Sequence, residues 1–475
     1  MDYSQFLQMI PEATLMAILV VLFIADFASS KQGDRRWFNS LACVLMLAQT
    51  CVCLVPQAEV SVFGGMYATN SAVDVMKAIL AGGTLIVFVQ SRQWLSRPEM
   101  RRMEGEFYML IVSTLLGMYM MMSAGHFLMF FLGLEMASIP LACTVAFDKK
   151  RNDSAEAAAK FILTAVFSSG VMLYGISFIY ADCGTLYFND VASKLSATPL
   201  SVMGMVFFFS GLGFKVSLVP FHFWTADTYQ GAPTTVTGYL SVISKGAAAF
   251  TLMAILMHVF APLVEYWRYL VYIVVILSIT VANLFAIRQG ELKRFMAFSS
   301  ISQAGYIMLA VIGNDRMSIA ALSYYVLIYI VANMAVFSVI AVVEQNNGGT
   351  TQMKSYDGLY QTNPKLSFLM TLALFSLGGI PPFAGMFSKF FVFMAAASAG
   401  SALAYAVVFI ALVNTVISLY YYLLIVKAMY INKNDNPLPT FRSDLGTRVC
   451  LALCTAGVVA FGVCSFFYDW LHAAA

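Results

Sequence analysis

Charged residues are scarce in this 475-residue chain. Asp, Glu, Lys and Arg together make up 11% of it, whereas soluble globular proteins carry roughly 25%. Hydrophobic residues make up 60%, and long apolar runs are typical of membrane-spanning helices. No basic stripe runs along the chain, so we expect no nucleic-acid partner. The composition excludes a soluble globular protein and predicts an all-α polytopic membrane protein.

Cysteine and histidine do not form ligand sets either. Seven of the eight cysteines lie within or beside apolar runs, Cys183 stands alone in a loop, and no Cys-x-x-Cys motif occurs. Cysteine in an apolar run behaves as a small hydrophobe. The four histidines do not offer the facing pairs at helical spacing that a haem in a helical bundle needs. We therefore expect no metal, disulfide framework, haem or iron–sulfur cluster in this chain.

The apolar runs predict how often the chain crosses the membrane. One crossing needs about 20 predominantly apolar residues, which gives about fourteen spans. The run at 364–397 is too long for one straight helix and contains Gly378-Gly379-Ile380-Pro381-Pro382, so we expect a break there. The predicted spans are 9–29, 37–56, 72–93, 106–123, 126–147, 156–181, 200–224, 232–260, 266–287, 293–313, 317–344, 364–397, 402–431 and 446–471.

The distribution of basic residues supports this count. Of the 27 lysines and arginines, eighteen fall in or beside loops that follow odd-numbered spans, and three in loops that follow even-numbered spans. Basic residues are enriched in cytoplasmic loops. We therefore expect the odd-numbered loops in the cytoplasm and both termini on the periplasmic side.

Four ionisable residues lie inside spans, namely Glu135, Lys215, Lys245 and Lys389. A charge at the membrane centre costs at least about 2.5–3.5 kcal/mol, and such residues usually mark ion or proton paths. A lysine at a helix end can extend its ammonium to the interface, but Lys245 has roughly a dozen apolar or small residues on each side. Glu135 has a simpler alternative, a hydrogen bond to a neighbouring helix. The pattern favours a proton-translocating protein over an inert anchor.

Two of these lysines lie beside predicted helix breaks. Pro220 follows Lys215, and Pro381-Pro382 precedes Lys389; proline removes a helical hydrogen bond. The broken spans are the seventh and the twelfth, and the odd offset of five predicts units that cross the membrane in opposite senses. Paired interrupted helices in inverted repeats point to a transporter's ion site. We predict helices 1–3 at 1–105, a first five-helix repeat at 106–260, its inverted copy at 261–431, and a loop with helix 14 at 432–475.

Other polar residues are weaker candidates for a supporting role. Glu156 and Lys160 are four apart and can pair on one helix face, which is more often a helix-end salt bridge. His222 and Gln303 could extend a polar path, although each is more often a structural hydrogen-bonding group. We interpret Asp74, Lys77 and Lys427, which lie toward span ends, as residues that reach the interface or face partners.

Several segments are familiar as motifs. The chain resembles the antiporter-like subunits of respiratory complex I, and residues 213–224 resemble that family's seventh-helix signature. The resemblance covers nearly the whole chain. The segments that carry it are GFKVSLVPFHFW at 213–224, DTYQGAP at 227–233, SSISQAGY at 299–306 and SLYYY at 418–422.

The resemblance implies a site and a setting. It implies that Glu135 is the fifth-helix glutamate, Lys215 the broken-helix lysine, Lys245 the central lysine and Lys389 the exit-side lysine. Flavin, iron–sulfur clusters and quinone would belong to other subunits of an NADH:quinone oxidoreductase in a bacterial inner membrane. The partners would be membrane-arm subunits, including antiporter-like subunit M and the small subunits K and J. The lack of a GxGxxG motif agrees with this division.

Two positions depart from the family pattern. Gln303 stands where some members have a histidine, and Leu424 where some have an arginine. Glutamine cannot relay protons by titration. Two alternatives stay open: a cation/proton antiporter subunit of the Mrp type, and a scaffold that completes a membrane arm without transporting anything.

Overall fold

The structure is a computed structural model that describes residues 3–29, 35–434, 437–464 and 466–475. Lys31, one of the basic loop residues counted above, lies outside the described residues. Within these ranges the chain is almost entirely helical, with one short antiparallel hairpin of β1 (Val60–Val62) and β2 (Tyr67–Thr69).

The helices follow one another with short connections. In chain order they are α1 Ile10–Ser29, α2 Arg36–Leu54, α3 Ser71–Leu95, α4 Glu104–Met122, α5 Phe127–Val145, α6 Asn152–Cys183, α7 Phe188–Lys194, α8 Pro199–Val216, α9 Phe223–Gly231, α10 Thr234–Tyr239, α11 Lys245–His258, α12 Val264–Ala286, α13 Leu292–Leu309, α14 Arg316–Asn346, α15 Leu359–Thr362, α16 Pro364–Gly378, α17 Ala384–Ala397, α18 Ala402–Tyr430, α19 Leu445–Val463 and α20 Phe466–Ala474.

The predicted polytopic all-α fold is confirmed. In the described part of the chain, thirteen helical segments are long and apolar enough to cross a membrane. Two shorter apolar helices, α16 and α17, follow each other at the predicted broken span. Together these segments account for fourteen crossings. The arrangement of the crossings as inverted repeats, with the boundaries given above, stays a prediction.

Both predicted breaks are present. Helix α8 ends at Val216, and Ser217 adopts a left-handed conformation with φ 67° before α9 begins at Phe223. Helix α16 ends at Gly378, and Gly379 adopts the same conformation with φ 87° before α17 begins. In both breaks a proline follows three residues after the left-handed residue. The half-helix α9 extends beyond the predicted end of the span at 224, because residues 225–230 are too polar for a hydropathy reading.

The last predicted span, 446–471, is wrong in its length. Helix α19 ends at Val463, and α20 is a separate short helix. A Cβ atom on Gly462 would lie 2.6 Å from the Pro382 carbonyl oxygen and 2.7 Å from the Ala384 amide nitrogen. The C-terminal end of α19 therefore packs directly against the backbone of the second break, which only a glycine allows.

Glycines also bring helices together around the predicted site. A Cβ on Gly117 of α4 would lie 2.4 Å from the Ala137 amide nitrogen of α5, and one on Gly175 of α6 would lie 2.6 Å from the Gly204 carbonyl oxygen of α8. Small residues permit such close backbone approach between membrane helices. These contacts fix α5 and α8, the helices that carry Glu135 and Lys215.

The chain divides into two compact units. One comprises Met1–Ser217, Ile243–Leu270 and Ala474–Ala475, and the other comprises Leu218–Val242 and Val271–Ala473. Along the chain, the first boundary between the units falls at the first break, directly after Ser217. The first unit contains Glu135, Lys215 and Lys245, and the second contains Gln303 and Lys389.

The first unit holds a buried charge cluster that our interpretation of Asp74 and Lys77 missed. Lys77 is fully buried, with its Nζ 2.8 Å from Glu12 Oε1 and 3.5 Å from Asp74 Oδ1. Tyr67 Oη donates a 2.9 Å hydrogen bond to Glu12 Oε2. The interpretation of Lys77 as reaching the interface is therefore wrong. Lys427 by contrast is exposed, in the last turn of α18.

Helix ends complete the charge balance of this cluster. Glu12 lies in the first turn of α1 and Asp74 in the first turn of α3. A helix N-terminus carries about half a positive elementary charge. Two carboxylates thus face one ammonium and two helix N-termini, and the charges cancel. The cluster holds together the starts of α1 and α3 with the hairpin that carries Tyr67.

Replacing Lys77 by methionine should destabilise the protein far more than replacing Lys427. Removing one partner of a buried ion pair costs about 3–5 kcal/mol, because the remaining charge is buried without compensation. Lys427→Met removes an exposed charge of the same size. The measurement is the level and thermal stability of the subunit in membranes. Equal stability of the two variants would contradict a structural role of the cluster.

Candidate functional site

Lys215 lies near the end of α8, just before the first break, and is anchored on α5. Its Nζ donates a 2.7 Å hydrogen bond to Ser138 Oγ and lies 3.5 Å from the Ala137 carbonyl oxygen. Ser138 Oγ in turn donates a 2.6 Å bond to the Leu134 carbonyl. The side chain is only 5% exposed. The ammonium is therefore desolvated and held by neutral groups.

Glu135 lies on the same helix as Ser138, three positions earlier, and is half-buried. It interacts electrostatically with Lys215. Among the residues that the structure describes, no ion pair within 4.0 Å joins the two side chains. Lys215 is thus hydrogen-bonded to the Ser138 hydroxyl, and Ser138 lies about one helical turn from Glu135. This arrangement permits both a separated and a closed pair.

The backbone of α5 is weakened beside these groups. Pro140 lies inside the helix, and it removes the amide that would otherwise bond the Met136 carbonyl. Met136 stands between Glu135 and Ala137. The weakened turn therefore lies where the Lys215 ammonium contacts α5.

The structure pairs Glu156 and Lys160 with each other. Lys160 Nζ lies 2.8 Å from Glu156 Oε1, and the two side chains are 46% and 66% exposed for Lys160 and Glu156 respectively. This is the helix-end salt bridge that the spacing allows. His222 lies directly before α9, with its ring stacked on Phe223 at 4.6 Å between centroids.

Lys245 begins α11 immediately after a wide helical turn. Residues Leu240–Ser244 form a π-helix between α10 and α11, and such insertions often mark functional sites. Lys245 is 1% exposed, and α11 packs against α8, the helix of Lys215. The sequence predicted the buried lysine but carried no signal for the π-turn.

Lys389 is the sixth residue of α17, and its side chain points back at the second break. Its Nζ donates a 3.2 Å hydrogen bond to the Gly378 carbonyl, which the end of α16 leaves available. The same Nζ lies 5.0 Å from the centre of the Tyr306 ring. Lys389 is 4% exposed. The break therefore supplies the polar niche that an ammonium needs at membrane depth.

A small cavity of about 10 Å³ adjoins Lys389. A buried water needs about 10–15 Å³ and two to four polar partners, so the cavity suits a single water molecule. Its polar lining comprises Gln303, Tyr325, Tyr329, Ser376, Ser388 and Lys389.

Gln303 is the hub of a hydrogen-bond network at this cavity. Its Nε2 donates to the Leu377 carbonyl at 3.3 Å and to Tyr422 Oη at 3.1 Å, and its Oε1 accepts from Tyr325 Oη. Tyr422 Oη also bonds Ser299 Oγ at 2.5 Å. The motifs SSISQAGY and SLYYY, which supported the resemblance, supply Ser299, Gln303 and Tyr422.

Polar side chains follow one another along the face of α14 that borders the cavity. Tyr325, Tyr329 and Asn333 are spaced by four residues, so they lie in a row on that helix. Tyr325 and Tyr329 line the cavity, and Asn333 Nδ2 donates a 2.6 Å bond to Ser241 Oγ in the π-turn. Within the second unit, this polar row runs from Lys389 to Ser241, four residues before Lys245. The sequence did not predict this row, because tyrosine and asparagine in an apolar span are usually interpreted as packing residues.

Comparison with known proteins gives the family. The family model described as "NADH:quinone oxidoreductase/Mrp antiporter, TM" matches residues 124–418. NADH-quinone oxidoreductase subunit N of Phocaeicola vulgatus is 58% identical over 472 residues, covering 99% of each chain. The subunit N of Azobacteroides pseudotrichonymphae is 48% identical over 477 residues, covering 99% of this chain and 98% of that protein.

Solved structures share the fold. A chain of respiratory complex I from Thermus thermophilus with bound Aureothin has a TM-score of 0.82 and 29% identity, covering 98% of this chain and 100% of that one. A chain of the Mrp complex from a Dietzia species has a TM-score of 0.86 at 17% identity, covering 99% and 97%. The second likeness is one of fold alone. The chain belongs to the NADH:quinone oxidoreductase/Mrp antiporter family and, within it, to the NADH-quinone oxidoreductase subunit N proteins.

Proposed function

We propose that this chain moves protons through the membrane arm of an NADH:quinone oxidoreductase, driven by quinone reduction elsewhere in the complex. The observation that carries the proposal is the placement of three buried lysines. Lys215 and Lys389 lie beside helix breaks, and Lys245 follows a π-turn. Each lysine can hold or release one proton.

The Glu135 carboxylate can control whether Lys215 is charged or neutral. When Glu135 approaches the ammonium the charged lysine is stabilised, and when Glu135 withdraws the proton is released toward Lys245. Moving one charge across 100 mV costs about 2.3 kcal/mol, whereas a change of two pKa units corresponds to about 2.7 kcal/mol. A lysine pKa change of two units therefore matches the free energy needed to move one proton against the membrane potential. The hydrogen bond from Lys215 to Ser138 supports a state in which Lys215 and Glu135 are separated.

Within the second unit, the polar row on α14 provides a proton path to Lys389. Hydroxyl groups both accept and donate hydrogen bonds, so Tyr325 and Tyr329 can pass a proton through the water-sized cavity. Gln303 does not titrate, and its role is to orient Tyr325 and Tyr422 beside Lys389. This assigns Gln303 a positioning role where some relatives place a histidine.

The resemblance to complex I subunits supports a proposed setting for the chain. Flavin, iron–sulfur clusters and quinone would lie in partner subunits, and the neighbours would be antiporter-like subunit M and the small subunits K and J. We place the chain in a bacterial inner membrane with both termini on the periplasmic side, as the basic loop residues favour. The Glu156–Lys160 pair is exposed on α6.

Replacing Lys215 should abolish proton pumping in the assembled complex. Lys215→Met removes the proton carrier, and Lys215→Arg keeps the charge on a group that does not deprotonate in proteins. Both variants should lose pumping and slow the coupled quinone reductase reaction. Lys194→Met, at an exposed lysine of α7, is the matched control and should behave as wild type. Full pumping and quinone reductase activity in Lys215→Met would rule out the proposed role.

Tyr325 and Tyr324 offer a test of the path. Tyr325→Phe leaves the Gln303 carbonyl without its donor, at a cost of about 1–3 kcal/mol. If the transition state of proton transfer bears that cost, pumping slows by about 5- to 160-fold. Tyr324 is equally buried, but its hydroxyl bonds the Phe461 carbonyl at 2.7 Å. Tyr324→Phe should therefore leave pumping unchanged, and equal pumping rates in the two variants would exclude the row on α14 as a path.

An Mrp-type cation/proton antiporter is the alternative function. The family model covers both kinds of protein, but the subunit N relatives are far more similar to this chain than the Mrp structure is. If the chain serves a quinone-linked pump, NADH-driven acidification in inverted membrane vesicles should not require sodium. Acidification that depends on a sodium gradient and survives inhibition of quinone reduction would instead favour the antiporter.

A further inference from the structure

The second unit contains a large open cavity whose lining does not include Lys389. It measures about 640 Å³ and lies between the start of α16, the loop before α19 and the first two turns of α19. Ligand sites typically measure about 300–1,000 Å³. By the positive-inside reading of the sequence, both loops that border it are cytoplasmic.

Hydrogen bonds hold the walls of this cavity in place. Asn363 Nδ2 donates to the Pro439 carbonyl at 3.2 Å, and its Oδ1 accepts from the Phe441 amide at 3.2 Å. Thr440 Oγ1 donates to the Thr362 carbonyl at 3.1 Å. The loop is therefore tied to the start of α16.

The rim of the cavity is basic. Lys365, Arg442 and Arg448 line it and are exposed, and no acidic residue is among the described residues that line it. The neighbouring Asp444 is engaged as the cap of α19, where it accepts from the amides of Gly446 and Thr447 at 3.1 and 3.2 Å. Three positive charges therefore face the cavity mouth without a competing carboxylate on its lining.

The inner walls are apolar. Leu366 and Leu369 of α16 and Leu451 and Ala452 of α19 line the cavity. Helix α19 is a candidate membrane span, and α16 is the first half of the broken one. The apolar walls therefore continue along helices that enter the bilayer. A matching ligand needs an anionic head at the membrane surface and an apolar tail beside the helices.

We propose that this cavity binds the phosphate head group of an anionic phospholipid, with its acyl chains along α16 and α19. Basic pockets between transmembrane helices on the cytoplasmic side are suited to such head groups. A free phosphate would satisfy the basic rim but not the apolar walls, and a zwitterionic lipid would leave the charge of the rim unbalanced. The proposal does not depend on the proton path.

The test uses the assembled complex in its own membrane. Photoactivatable phosphatidylglycerol and phosphatidylethanolamine probes are cross-linked, and the labelled peptides are identified by mass spectrometry. We expect phosphatidylglycerol to label residues 362–369 and 440–452 preferentially. Each basic residue near an anionic surface contributes about 1 kcal/mol, or about fivefold in affinity. Arg442→Gln with Arg448→Gln should therefore reduce this labelling by about ten- to thirtyfold.

Matched variants separate charge from folding. Arg442→Lys with Arg448→Lys should keep most of the labelling, and Lys354→Gln, at an exposed lysine outside the cavity lining, should leave it within twofold of wild type. Equal labelling by the two probes, or undiminished labelling in the double glutamine variant, would overturn the proposal. So would displacement of the lipid probe by inorganic phosphate, or cross-links that show a neighbouring subunit in the cavity.

Discussion

The need to satisfy polar groups inside a membrane governs this protein. In hydrocarbon, backbone amides and carbonyls must be paired within the protein, and helices do this completely. The breaks at Ser217 and Gly379 interrupt that pairing in the middle of otherwise apolar spans. At the second break, the freed Gly378 carbonyl accepts from Lys389. An unsatisfied carbonyl and a buried ammonium are each costly, but together they form a stable pair.

The two broken spans use their lysines differently. Lys215 precedes its break and donates to a hydroxyl on another helix, whereas Lys389 follows its break and donates to a backbone carbonyl. A serine hydroxyl can rotate and exchange partners, but a carbonyl oxygen only accepts. The first lysine therefore sits in the more switchable environment, next to Glu135. The second is held beside a water-sized cavity with tyrosine hydroxyls on its wall.

Much of this arrangement could be predicted from the sequence because hydrophobicity and proline act locally. Runs of apolar residues mark spans whatever their neighbours, and Pro220 and Pro382 interrupt helices by removing an amide. The buried position of Lys245 followed from its distance to either span end. The length of α9 could not be read in this way, because residues 225–230 are polar yet largely buried inside the protein. The end of α19 depends on the contact between Gly462 and the second break, which lies some eighty residues away in the chain.

What the sequence by itself determined is the class of protein, the number and approximate limits of the spans, the two breaks and the four ionisable residues inside apolar runs. Only the tertiary structure decided which groups meet. It set Lys215 on Ser138 rather than directly on Glu135, made Gln303 the centre of a tyrosine network, and joined Lys77 to Glu12 across more than sixty residues. The physical reason is that a charge or hydroxyl is stabilised by whichever partner the packed helices bring within about 3 Å, and that partner is set by helix packing rather than by neighbours in the chain.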